Sequence, residues 1–206
     1  MYSSYSQLAQ SERIGVDFDI RTASRSSDIV IMAPHGGRIE PGTSELAEAI
    51  AGSDYDFYCF EGKKNRDNNR LHITSTLFDE PEGRRLAQRA RAILTVHGYH
   101  GDDPIVYVGG LSCRMVELIS NRLAASGFHV SRRNSGCNGI DPGNICNRCK
   151  GGKGAQLELT NGLRLRMFKE FLPEISVRPS GVFALFVGAV RQALSDFNPA
   201  ANVHSI

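Results

Sequence analysis

Two short apolar runs, each ending on a histidine–glycine pair, constrain this chain more than any other feature of it. Residues 28–34 (DIVIMAP) and 92–96 (AILTV) are apolar and rich in β-branched side chains, the pattern of strands buried on both faces. The first runs into His35-Gly36-Gly37 and the second into His97-Gly98. Proline and glycine there stop each strand and open a loop.

Further strands are expected at 56–60 (DFYCF), 71–76, 105–108 (IVYV), 128–131 and 155–160 (AQLELT). Helices are expected between them. One runs through LAEAIA, capped near Thr43-Ser44-Glu45 and closed by Gly52. Others cover 81–91, with proline in the first turn, and 112–125, with Gly127 just beyond. Two more are read at 162–171 and 181–197. Residues 1–27 read as a polar lead-in with weak helical content, 62–70 as a polar stretch, and 133–154, rich in Gly, Asn and Cys, as a long surface loop at the active site. Alternating strands and helices predict an α/β three-layer sandwich with a mostly parallel or mixed central sheet. In such sheets, sites gather at the carboxyl ends of strands. His35 and His97 both fall there.

A chain of 206 residues fits a single domain, 1–206, with enough core to need no disulfides. A net charge of +2 is too small to argue for a nucleic-acid partner. The run Arg84, Arg85, Arg89, Arg91 reads as a solvated helix face. No apolar run approaches the roughly 18 residues that cross a bilayer, and the first residues lack a signal peptide's apolar core. The expectation is a cytoplasmic monomer, released if at all by lysis. Five cysteines cannot all pair within one chain, which favours reduced thiols or metal ligands.

The segment His35-Gly36-Gly37-Arg38-Ile39-Glu40 offers a nitrogen and a carboxylate on a loop tight enough to converge, because Gly36 and Gly37 can adopt backbone angles closed to other residues. His97 supplies a third donor from another strand end. Two His and one Glu leave the fourth zinc position open, which is the catalytic rather than the structural arrangement. His72 is a fourth candidate, to bind substrate or to replace one of these ligands. His100, His129 and His204 read as ordinary loop, strand and tail histidines.

Several stretches together resemble the poly-γ-glutamate hydrolase family, zinc enzymes of phages and bacteria similar to cut-down zinc carboxypeptidases. They are APHGGRIEPGTSELA (33–47), FYCFEGKK (57–64), LHITSTLFDEP (71–81), TVHG (95–98), VYVGG (106–110), NICNR (144–148) and QLELTNGLR (156–164). The resemblance implies a carboxypeptidase-like fold and one Zn2+ held by His35, Glu40 and His97. It places the general base at Glu158 and a substrate-carboxylate clamp at Asn147 and Arg148, with Arg164 and Arg38 as rivals for that task. It also implies a polyanionic γ-glutamyl polymer as substrate. The chain departs from the carboxypeptidases in placing four residues, not two, between the first His and the Glu.

On the strand 155–160, Gln156 and Glu158 share one face and Leu157 and Leu159 the other. Zinc lowers the pKa of bound water to about 7, and a neighbouring carboxylate can take and return the proton. Two rival readings remain. One keeps the zinc and cleaves a different amide, such as a peptide C-terminus or an N-acyl amino acid. The other is a non-enzymatic metal or redox module on Cys137, Cys146 and Cys149, whose C-x2-C spacing is half of a zinc knuckle. The simplest reading of these three is free loop thiols, with Cys59 and Cys113 as small buried hydrophobes.

Overall fold

The computed structural model describes residues 2–132, 138–168 and 179–197. Strand β2 (Ile29–Gly37) is buried along almost its whole length. It lies centrally, parallel to β3 (Asp56–Gly62) on one side and to β4 (Ala92–Tyr99) on the other. β4 pairs parallel to β7 (Ala155–Thr160). β5 (Ile105–Gly109) runs antiparallel to β7 and parallel to β6 (His129–Ser131). β1 (Phe18–Ala23) closes the other edge, antiparallel to β3. The result is one mixed seven-stranded sheet of order β1-β3-β2-β4-β7-β5-β6.

Alternation along β2 sends Ile29, Ile31 and Ala33 to one face and Val30 and Met32 to the other. The first face packs under α2 (Thr43–Ala51), α4 (Cys113–Ala125), α5 (Asn161–Met167) and α6 (Gly181–Ser195), through Leu46, Ile50, Ile119, Met167, Phe186 and Val190. The second packs under α1 (Tyr5–Ala9), α3 (Pro81–Arg89) and irregular segments that contribute Leu71, Ile73, Phe78 and Ile145. This is the expected three-layer α/β sandwich. Glu80 ties α3 to the sheet: its carboxylate accepts from the amides of Glu82 and Gly83 at the helix start and from the buried Tyr58 hydroxyl at 2.7 Å.

Four expectations are corrected. The lead-in 1–27 holds the short helix α1, in keeping with its weak helical content, but also β1, an edge strand with charged Asp19 and Arg21 whose one buried face is too sparse to read as a strand. Residues 71–76 form no strand. A short 3-10 turn, Asn68–Leu71, leads into a loop whose Leu71 and Ile73 are buried, so burial without sheet pairing produced the alternating pattern. The stretch 138–154 is not all surface, since Asn144, Ile145, Cys146 and Asn147 are buried around a 3-10 turn at Ile145–Asn147. Cys146 and Cys149 belong to the second core, with burial pushing both thiols up, while Cys113 is exposed. Cys137, His204 and the expected helix end at 169–171 lie outside the described residues.

Candidate metal centre and active site

The site forms where β2, β4 and β7 finish side by side. β2 carries His35, and β4 and β7 bring His97 opposite Glu158 in register. Between Ala33 and Gly36 the β2–β3 register shifts, and pairing resumes at Gly36 and Gly37 against Glu61 and Gly62. Gly36 allows the close approach at this irregularity: a Cβ there would lie 2.3 Å from Cys59 Sγ and 2.4 Å from Ser44 Oγ. Gly37 follows at φ +61°, where a Cβ would meet the Gly62 carbonyl oxygen at 2.5 Å. Its amide donates to Ser44 Oγ at 2.7 Å. The turn closes when the Glu40 amide donates to the His35 carbonyl at 2.9 Å. The loop therefore returns Glu40 to the side of His35.

The donor atoms then converge. His35 Nδ1 lies 3.1 Å from Glu40 Oε1 and 3.2 Å from His97 Nδ1. His97 Nδ1 is 3.7 Å from Glu40 Oε2, and His72 Nε2 is 3.6 Å from Glu40 Oε1. The His72 ring stacks on His35 with centroids 3.8 Å apart. His35 Nε2 sits 2.7 Å from the Ile73 carbonyl and must donate to it, which aims Nδ1 at Glu40 and His97. Glu40 Oε2 accepts from the Gly98 amide at 2.8 Å, so Oε1 faces inward.

Zinc bonds of about 2.0–2.2 Å at a tetrahedral angle separate neighbouring donors by about 3.4 Å. The 3.2 Å between the two Nδ1 atoms, the 3.1 Å from His35 Nδ1 to Glu40 Oε1 and the 3.7 Å from His97 Nδ1 to Glu40 Oε2 are each close to that spacing, so the three side chains can reach a common ion. His35, Glu40 and His72 also offer donors within 4.8 Å of one another. Among the described residues, the buried His72 Nδ1 and His97 Nε2 have no hydrogen-bond partner, and no cysteine joins a group of this kind. Burial alone would raise the Glu40 carboxyl, but the positive charge of His35 and hydrogen bonds from His35, His72 and His97 hold it well below the usual carboxylate range.

A cavity of about 600 Å3 opens over this cluster. Glu158 lines it, yet is only 7% exposed. Burial first, and the Glu40 charge second, push its pKa well above the ordinary value, against a smaller pull from Arg164. Gln156 Nε2 donates to Glu158 Oε1 at 3.1 Å, and Asn144 Nδ2 donates to Gln156 Oε1 at 3.1 Å. Sequence reasoning placed Gln156 on the face of Glu158 but gave it no role. It missed Asn144, whose only signal was its position in an Asn- and Gly-rich loop. From that loop, Gly139, Ile140 and Asp141 also line the cavity.

The three other candidates stand elsewhere. Asn147 is buried and engaged by its own loop, donating to Gly139 and Asp141 carbonyls at 2.7 and 2.9 Å and accepting from the Gly154 amide at 3.0 Å. Arg148 is exposed, donates to the Gly143 carbonyl at 3.1 Å and lines a smaller neighbouring cavity. Arg164 is buried behind Gly98, where a Cβ would lie 2.8 Å from its Cζ. Its guanidinium donates to the carbonyls of Leu159, Pro41 and Tyr99 at 3.2, 2.7 and 3.3 Å, and to the Asn161 side chain. It braces the loop carrying Glu40 against β4 and β7 rather than facing the cavity. The rival Arg38 donates to the Lys64 carbonyl and to Asn65, away from the cavity lining.

A zinc-carboxypeptidase-like α/β sandwich with a His/Glu cluster at its strand ends defines a class of hydrolase folds. Within it, this chain belongs to the poly-γ-glutamate hydrolase family, whose sequence profile, described as "Poly-gamma-glutamate hydrolase", matches residues 2–189. Two relatives from Bacillus subtilis (strain 168) are similar over most of the chain. UPF0714 protein YmaC is 38% identical over 173 residues, 82% of this chain and 73% of that protein. UPF0714 protein YndL is 33% identical over 195 residues, 93% of this chain and 71% of that protein. Among solved structures, a bacteriophage poly-γ-glutamate hydrolase superposes with a TM-score of 0.90 at 30% identity, covering 95% of this chain and 96% of that one. The zinc-free apo form of YndL gives a TM-score of 0.89 at 31% identity over 95% and 97%.

Proposed function

We propose that this chain, acting as a single domain, is a zinc-dependent amidohydrolase that cleaves γ-glutamyl amide bonds of poly-γ-glutamate. The observation that carries this reading is the convergence of His35 Nδ1 and His97 Nδ1, 3.2 Å apart, on the Glu40 carboxylate, whose Oε1 lies 3.1 Å from the first and whose Oε2 lies 3.7 Å from the second, beside a buried carboxylate of raised pKa. Family membership and the structural likeness to a phage poly-γ-glutamate hydrolase support the substrate. The zinc-free description of the YndL structure supports the metal.

His35, Glu40 and His97 hold the ion. When bound, it supplies Lewis acidity towards the scissile carbonyl and lowers the pKa of water. Glu158 accepts a proton from the attacking water and delivers it to the leaving amine. Its raised pKa suits that exchange, because a carboxyl that binds a proton more readily is a better base and still a usable acid. Gln156, itself oriented by Asn144, fixes which oxygen of Glu158 is engaged and leaves the other for the reaction. His72 stands on the rim of the cluster and meets the substrate. The donor spacing also favours a second arrangement, with His72 as a ligand in place of His97. The zinc content of His72→Ala and His97→Ala decides between them.

The test is incubation with poly-γ-glutamate with and without a chelator. Shortening of the polymer that stops with the chelator and returns with zinc supports the reading. Hydrolysis indifferent to the chelator removes the metal from it, and intact polymer under all conditions removes the substrate.

A further inference from the structure

Resting on the hydrolase reading above, we propose that a smaller cavity beside the main one is a second subsite, in which Arg84 and Arg148 grip a further carboxylate of the same polyanionic chain. This cavity, of about 130 Å3, is lined by Thr76, Leu77, Phe78, Asp79, Arg84 and Arg148. Thr76 lines the main cavity as well, so the two are neighbours across that residue. A shallower depression beyond it shares Asp79 and Arg84, which extends the track along the start of α3.

The electrostatics of the track are specific. Arg85, one residue away, is held by Glu82 at 2.6 Å. Arg84 makes no side-chain hydrogen bond or ion pair among the described residues, and its amide donates to the Glu80 carbonyl. Arg148 spends Nε on the Gly143 carbonyl, and among the described residues no carboxylate pairs with its two terminal nitrogens. Asp79 is the one acidic group in the lining, and its Oδ1 accepts from the Tyr5 amide at 2.5 Å. The Arg84 guanidinium and the two terminal nitrogens of Arg148 therefore outweigh one partly engaged carboxylate.

Leu77 is 52% exposed at the same place, an apolar surface beside two cations. A γ-glutamyl chain presents that mixture, with two methylenes in every repeat and one free carboxylate. Arginine takes a carboxylate through a planar two-point fork that lysine lacks. A polymer held at the main site presents its next carboxylates to this track at high effective concentration. The grip then falls with salt, as it does for any solvent-exposed pair. The track also gives Arg84 a use beyond the solvated helix face that its sequence context suggests.

The experiment is steady-state hydrolysis of size-fractionated poly-γ-glutamate by the zinc-loaded full chain at low and high salt. Arg84→Gln, Arg148→Gln and Arg148→Lys are compared with Arg89→Gln, an exposed arginine of the same helix outside both smaller cavities. The expected result is a KM up to about fivefold higher for Arg84→Gln and for Arg148→Gln, the worth of one exposed ion pair. Arg148→Lys restores only part of the loss, the loss falls on KM rather than kcat, and the salt dependence of KM weakens. Arg89→Gln behaves as wild type. If Arg84→Gln and Arg148→Gln match Arg89→Gln while the wild type cleaves the polymer, the subsite is overturned and the hydrolase reading stands. If the wild type leaves the polymer intact, both are overturned.

Discussion

Replacing Glu158 with glutamine removes one proton acceptor and changes little else. The amide is isosteric with the carboxyl, and its oxygen can still accept from Gln156 Nε2, now at 3.1 Å from Glu158 Oε1. General-base catalysis is worth roughly 10²–10⁴-fold, or about 2.7–5.5 kcal/mol of barrier, so kcat on poly-γ-glutamate should fall by that factor with bound zinc unchanged. Stability should move the other way. The folded pKa of Glu158 lies above its unfolded value because burial and the Glu40 charge disfavour ionisation. For a group raised in this way, the stability it confers is fully present below the unfolded pKa, about 4.3, and is lost as pH rises through the folded value. Glu158→Gln should therefore melt higher than wild type at neutral pH in metal-free protein, and the gap should close as pH falls below about 4. Hydrolysis is followed by polymer size and stability by thermal melts over a pH series with chelator present. Near-wild-type turnover refutes Glu158 as the base. A lower neutral-pH Tm refutes the account of its buried charge.

Two further predictions concern the frame that holds the site. Gly36→Ala puts a Cβ 2.3 Å from Cys59 Sγ and should destabilise by about 1–3 kcal/mol in urea titrations; adding Cys59→Ala should recover part of that loss, as overpacking predicts and a purely conformational effect of glycine does not. Arg164→Met leaves the carbonyls of Pro41, Tyr99 and Leu159 without their donor, which should cost about 3 kcal/mol or more and weaken zinc retention by loosening the Glu40 loop.

The sheet and the strand-end positions of His35 and His97 were legible because parallel strands buried on both faces read as unbroken apolar runs. Glu158 was legible as to face, since alternation separates it from Leu157 and Leu159. What escaped has physical reasons. β1 pairs by backbone hydrogen bonds that charged side chains do not advertise, and 71–76 buries Leu71 and Ile73 without a strand. An arginine's role depends on which carbonyls lie within reach, and those belong to distant segments: Arg164 meets Pro41 across 123 residues of chain. Asn144 could not be singled out for the same reason. Its partner Gln156 and the Asn147 anchors that shape its loop are set only when the turn at Ile145–Asn147 seats in the second core.

The measurement closest to the central claim is metal content by elemental analysis across two sets of variants. The wild type should carry one zinc per chain. His35→Ala, Glu40→Gln and His97→Ala should each lose it, while Cys146→Ala/Cys149→Ala keeps it. Zinc that survives loss of His35 and Glu40, or that departs with the cysteines, contradicts an ion held at the ends of β2 and β4.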